Sequence, residues 1–183
     1  MPEAGAAPGV ATVGAAAPET SGAAVNTNGV VFWPVATFVL LTDLASKALA
    51  AYALEPRGWP HPIVGDALRF TLVYNPGAAF GLHVGPWSRW IFLALTAVVL
   101  RVLWGLYRST RDRDNVRTFA LALVIAGAVG NALDRLRSAE GVVDFIDLGV
   151  GAWRWPTFNV ADIGVTCGAA LLAWVLWREE QHG

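Results

Sequence analysis

Five aspartates stand where an apolar chain has little use for them: Asp43 in "TDLASK", Asp134 in "GNALDRL", Asp144 and Asp147 in "GVVDFIDL", and Asp162 in "FNVADIGVTCG". Carboxylates in such surroundings suit hydrolysis by a pair that shares one proton. Two like charges held close cannot both ionise, so one pKa rises. The protonated acid then polarises a carbonyl while the ionised one takes a proton from an attacking water. Such a pair titrates as a unit, and sequence assigns neither role. Asp162 could meet either Asp144 or Asp147 in this way, and spacing does not choose between them.

Other hydrolytic chemistries find little support. No G-x-S-x-G occurs, and Ser46 beside Lys47 is an i, i+1 pair whose side chains diverge on a helix. There is no H-E-x-x-H, and His61, His83 and His182 are scattered without ligand spacing, so neither a metal nor an organic cofactor is expected. The single cysteine, Cys167, cannot form an internal disulfide, and its apolar surroundings predict a small buried hydrophobe. A net charge of -1 gives no basic surplus for nucleic acid.

The elements that position these acids follow from hydropathy. Of 183 residues, 55% are hydrophobic and 15% charged, the balance of an integral membrane protein. A bilayer core needs about 20 helical residues to cross it. Residues 30–52, 87–107, 116–136 and 158–177 each reach that length. The expectation is an all-α membrane protein, with a four-helix domain over 30–178 and a short cytoplasmic tail, 179–183. Residues 1–29 form an Ala/Gly/Pro-rich stretch whose only charges are Glu3 and Glu19, read as a disordered tail. It lacks the basic start of a secretory signal peptide. Arg108, Arg111, Arg113 and Arg117 crowd the connection between the second and third spans, which predicts that this loop and both termini are cytoplasmic. In the first outer loop, residues 53–86, "ALRFTLVYN" alternates Leu68, Phe70 and Leu72 against Arg69, Thr71 and Val73. This strand period ends in the turn residues "NPGAAFG", predicting a small extracytoplasmic sheet on the helices.

Ionisable residues inside spans cost about 2.5–3.5 kcal/mol each at a helix centre, so each needs an account. Asp43 and Lys47 fall at i, i+4 on one face of the first span and can pair. Asn131, Asp134 and Arg135 close the third span, while Asn159 and Asp162 open the fourth. At 1.5 Å per residue, Asp162 lies about 6 Å below the outer end of its span. These residues converge on a polar site near the outer membrane face. Structural readings stand beside that one. Arg89 and Arg101 can snorkel to the interfaces, Asp43–Lys47 can be a buried pair, and Asp134 with Arg135 can form a helix-end ion pair. Asp162 has no basic neighbour at i±3 or i±4, so a structural reading explains it least well. A non-enzymatic carrier or channel would need polar residues through both halves of the bundle, whereas the inner halves are almost wholly apolar. A protein that only binds a lipidated peptide at the same polar site is a further alternative.

The ordered set "DLASK", "NPGAAFGL", "GAVGNALDRL", "VVDFIDL" and "FNVADIGVTCG", spread over residues 33–177, resembles the bacterial lipoprotein signal peptidases, or signal peptidase II. The resemblance implies an intramembrane aspartic endopeptidase of the bacterial cytoplasmic membrane, with a multi-pass fold and an active site near the outer face. It implies cleavage of a diacylglyceryl-modified prolipoprotein just before its lipidated cysteine; membrane lipids are the other expected partner, and a monomer is expected. It assigns catalysis to Asp144 and Asp162 and leaves Asp147 a bystander or an acceptor behind the site. Asp43, Lys47, Asn75, Gly77, Asn131, Asp134, Arg135, Asn159 and Ala161 match positions that line or support the family's site. Ile163 and Gly81 stand where serines are common, and the Ala/Gly-rich tail is an extension. The turn glycines Gly77 and Gly81 either let a backbone clamp approach the substrate or only make a tight turn.

Overall fold

The computed structural model describes residues 27–77 and 85–182; the tail before Thr27 and the part of the "NPGAAFG" turn that holds Gly81 lie outside the described residues. The elements in chain order are α1 (Gly29–Ala53), β1 (His61–Val64), β2 (Leu68–Asn75), α2 (Ser88–Ser109), α3 (Asn115–Arg137), β3 (Val142–Val150), β4 (Trp153–Arg154) and α4 (Val160–His182). Among the described residues four helices are long and apolar enough to cross a membrane, and the protein is a multi-pass membrane protein. Phe38, Leu41, Leu49, Leu95, Val98 and Val102 are exposed on these helices, as lipid-facing side chains must be.

Helix α3 is the hub, packed against α1, α2 and α4. Close approach is possible because its inner face is built from small residues: Ala120, Ala122, Ala126, Gly127 and Gly130 are buried. Gly130 has a specific use, since a Cβ there would collide with the Asp43 carboxylate. At one end of the bundle Phe32, Leu103, Tyr107, Leu121 and Val124 form a core, with the Phe32 and Tyr107 rings 4.2 Å apart. At this end the chain is ordered before the first span begins. Buried Asn28 donates from Nδ2 to the Arg111 carbonyl (3.0 Å), and the Thr27 N–H donates to Asp112 Oδ1 (3.1 Å). Residues 27–29, counted with the tail on composition, thus belong to α1 and its contact with the α2–α3 connection.

At the other end, Ala50, Leu54, Leu72 and Phe145 join α1 to an antiparallel sheet of order β1-β2-β3-β4. The expected strand is present and runs on to Asn75. Its partner β3 contains the whole of "VVDFIDL", which hydropathy alone reads as an apolar loop broken by acids. The expected alternation along β2 is interrupted. Phe70 pairs with Ile146 but Val73 pairs with Asp144, so two residues, Thr71 and Leu72, oppose Phe145 alone. Both are buried, which strict alternation forbids and a β-bulge permits.

Candidate active site

The C-terminal parts of α1 and α3, the start of α4 and strand β3 meet at the sheet end of the bundle. Helix α4 begins with a capping box. Asn159 precedes the helix, and its Oδ1 accepts from the Asp162 N–H (3.0 Å) while Asp162 Oδ2 accepts from the Asn159 N–H (3.2 Å). Another orphan donor of the first turn, the Ala161 N–H, goes to Asp43 Oδ1 of α1 at 2.8 Å. The carboxylate that looked costly in its span is therefore the third residue of a helix, where a negative charge is favourable. Ala161 is fully buried against this contact.

Lys47 organises the α1–α3 side. Its ammonium pairs with Asp43 Oδ2 (2.8 Å) and Asp134 Oδ2 (2.9 Å) and donates to Asn131 Oδ1 (2.9 Å). Lys47 is 3% exposed and Asp43 0%, so the cation neutralises charge that water cannot reach. Asp134 turns to Lys47 and to the Val143 N–H (3.3 Å) in place of the helix-end pair with Arg135 that adjacency suggested. Asn131, oriented by Lys47, donates from Nδ2 to Asp162 Oδ1 (2.8 Å). Arg135 donates to the Gly77 carbonyl (2.7 Å) and to the Asn131 carbonyl (3.2 Å).

Asp144 faces this group from β3. Asn159 Nδ2 donates to its Oδ1 (2.6 Å) and Asn75 Nδ2 to its Oδ2 (3.1 Å). Asn75 also accepts from the Gly77 N–H at 3.0 Å. The two candidate catalytic acids are thus linked through one residue, Asn159. Asp144 is 3% exposed; burial, and then the nearby charge of Asp162, push its pKa up to about 7. Both acids open onto a cavity of about 860 Å³, lined also by Val73, Asn75, Asn131, Arg135 and Ile163.

Asp147 lies elsewhere. Three residues along a strand reverse the side-chain direction, so Asp144 and Asp147 occupy opposite faces of β3. Asp147 Oδ1 accepts from Arg154 (2.6 Å) and Oδ2 from Arg69 and Thr71 (both 3.0 Å). Burial alone would raise its pKa, but the bonds from Arg154, Thr71 and Arg69 outweigh it and hold the carboxyl below the usual range. It is an ion-pair acceptor behind the strand.

Two expectations change. Cys167 is exposed, not buried, because it follows Ile163 and Thr166 along the face of α4 that walls the cavity. Arg89 does more than reach the interface, as its Nη2 donates to the Leu136 carbonyl (2.9 Å) at the end of α3. Trp155, Pro156 and Thr157, which no sequence motif marked, also wall the cavity beside Phe158. Their one signal was position, since they lead directly into the Asn159 cap.

A model of the family described as signal peptidase II matches residues 35–178. The lipoprotein signal peptidase of Polynucleobacter necessarius subsp. necessarius (strain STIR1) is 41% identical over 143 residues, covering 76% of this chain and 85% of that protein. The lipoprotein signal peptidase of Halothermothrix orenii (strain H 168 / OCM 544 / DSM 9562) is 43% identical over 149 residues, covering 81% of this chain and 97% of that one. A solved bacterial membrane enzyme superposes with a TM-score of 0.75 at 28% identity, over 86% of this chain and 92% of that chain. The chain therefore belongs to the signal peptidase II family, and is an aspartic-type peptidase built on four membrane helices and a small sheet.

Proposed function

We propose that the protein removes the signal peptide from diacylglyceryl-modified prolipoproteins, cutting just before the lipidated cysteine with a water activated by Asp144 and Asp162. The observation that carries this reading is the Asn159 link: one residue bonds both acids, and both open onto the same cavity. Asp144, whose pKa is pushed up to about 7, is the member suited to hold the shared proton and polarise the scissile carbonyl. Asp162, oriented by Asn131 and the Asn159 N–H, is the partner placed to take a proton from water. The apolar lining contributed by Val73, Leu148, Ile163 and Val165 suits a lipid-anchored peptide. The remaining residues act as supports: Lys47 neutralises Asp43 and Asp134, and Arg135 holds the Gly77 carbonyl just beyond β2.

The arginine-rich connection between α2 and α3 lies at the opposite end of the bundle from the acids. With that loop and both termini cytoplasmic, the dyad sits near the outer face of a bacterial inner membrane, where a diacylglyceryl anchor would hold the scissile bond. The test uses detergent-purified protein, a diacylglyceryl-modified prolipoprotein and its unlipidated twin. Release of the signal peptide from the lipidated form alone is expected; equal cleavage of both contradicts the lipid-dependent assignment.

A further inference from the structure

The β2 bulge decides which face of the sheet Asn75 reaches. Arg69 and Val73 are four residues apart and would share a face in a regular strand. Their partners on β3, Asp147 and Asp144, are three apart and occupy opposite faces. The extra residue at Thr71–Leu72 makes the switch. Beyond it Val73 lies opposite Asp144 and Asn75 opposite Val142, on the side where Asn75 Nδ2 reaches Asp144 Oδ2 at 3.1 Å. In unbroken register Asn75 would fall on the face of Arg69 and Asp147, because a one-residue slip reverses every side chain.

Something must hold the bulge at this point, since the extra residue leaves the ladder short of pairing. Thr71 lies within it, and its Oγ1 donates to Asp147 Oδ2 at 3.0 Å. That oxygen also accepts from Arg69 Nε at 3.0 Å, in the last regular part of β2. Arg154 of β4 closes the other side of the carboxylate, with Nε and Nη2 at 2.8 and 2.6 Å from Oδ1. Arg154 Nη1 then reaches the Asp66 carbonyl in the β1–β2 turn at 2.6 Å. Strands β2 and β4 thus converge on one 5%-exposed carboxylate of β3.

We infer that Thr71 and Asp147 are positioning residues: their hydrogen bond locks the β2 bulge, which turns Asn75 toward Asp144 and so orients one member of the dyad. The inference rests on the dyad reading above. It gives Asp147 a definite task on the reverse face of the strand, at no contact with the substrate cavity. Charged groups acting on Asp144 from the packed elements are Asp162 of α4, Lys47 of α1 and Arg135 of α3, and none is altered by a change at Thr71.

The experiment compares Thr71→Val, Thr71→Ser and Asn75→Ala, alone and combined, by cleavage of lipidated prolipoprotein across pH. Thr71→Val should lower kcat roughly tenfold or more with KM within about twofold. The Asn75 bond favours ionised Asp144, so its loss should move the basic limb of the profile to higher pH. Thr71→Ser, which keeps the hydroxyl, should behave as wild type. Adding Thr71→Val to Asn75→Ala should cost nothing further, because both changes remove one contact. If Thr71→Val does not accumulate in membranes, Thr71→Ala takes its place. A valine or alanine variant with wild-type kcat and pH profile overturns the inference, as does a double variant whose losses multiply. Should Asp144→Asn in the same assay still cleave, the dyad reading itself fails, whatever Thr71 does.

Discussion

Replacing Lys47 by methionine removes one positive charge and leaves two carboxylates without it. Asp43 keeps a single donor, the Ala161 N–H at 2.8 Å, and Asp134 keeps the Val143 N–H at 3.3 Å. Neither can turn to water, because Asp43 is 0% exposed and Asp134 9%. Removing one partner of a buried ion pair costs about 3–5 kcal/mol, and here one cation serves two anions, so the upper part of that range applies. For a chain of this size, about 2–4 °C of Tm is lost per kcal/mol, giving a fall of roughly 8–20 °C. Thermal unfolding of Lys47→Met in detergent measures it. Activity should fall as well, since Asn131 loses the ammonium that sets its carboxamide against Asp162. The double variant Lys47→Met/Asp134→Asn should recover part of the loss by deleting one stranded charge. A Lys47→Met protein melting within about a degree of wild type would refute the reasoning, and so would a double variant whose losses simply add.

Four further outcomes follow from the same geometry. Cleavage should decline as pH rises through about 7, where Asp144 gives up the shared proton. Asp144 binds a proton more tightly folded than unfolded, where its pKa is about 3.9. The thermal stability of Asp144→Asn relative to wild type should therefore grow from about pH 4 to about pH 7 and then level off. Asn159→Ala removes both a helix cap and a donor to Asp144. It should cost about 1–2 kcal/mol of stability by denaturation, with a much larger relative loss in single-turnover cleavage rate. Gly130→Ala places a methyl group against the Asp43 carboxylate. It should lower Tm by more than Gly105→Ala, whose added Cβ meets nothing within 4 Å.

Hydropathy made the helices legible, because span length and apolarity leave a bilayer protein few other solutions. The sheet was legible only in part. Period 2 in "LRFTLV" marked β2, but the bulge at Thr71–Leu72 leaves no trace in an apolar–polar pattern, since Leu72 looks like one more apolar residue. Strand β3 carries acids within an apolar run and so reads as an interrupted loop. Had it been read as a strand, three-residue spacing would have placed Asp144 and Asp147 on opposite faces. The choice between them rested on resemblance instead. The depth estimate for Asp162 followed from helical rise, yet the reason for a carboxylate there was the "NVAD" capping box and the Asn131 donor. Such long-range contacts, among them Asp43 with Ala161 and Arg135 with Gly77, depend on helix packing that spacing along the chain cannot express. Cys167 was misjudged because an apolar neighbourhood says nothing of whether a helix face meets protein or a cavity.

The central claim is that Asp144 and Asp162 together hydrolyse the peptide bond. Its most direct measurement is single-turnover cleavage of a diacylglyceryl-modified prolipoprotein by Asp144→Asn and Asp162→Asn proteins, each shown to insert in membranes and to melt no lower than wild type. Loss of signal-peptide release in both variants is the predicted result, and continued release by either one contradicts the account.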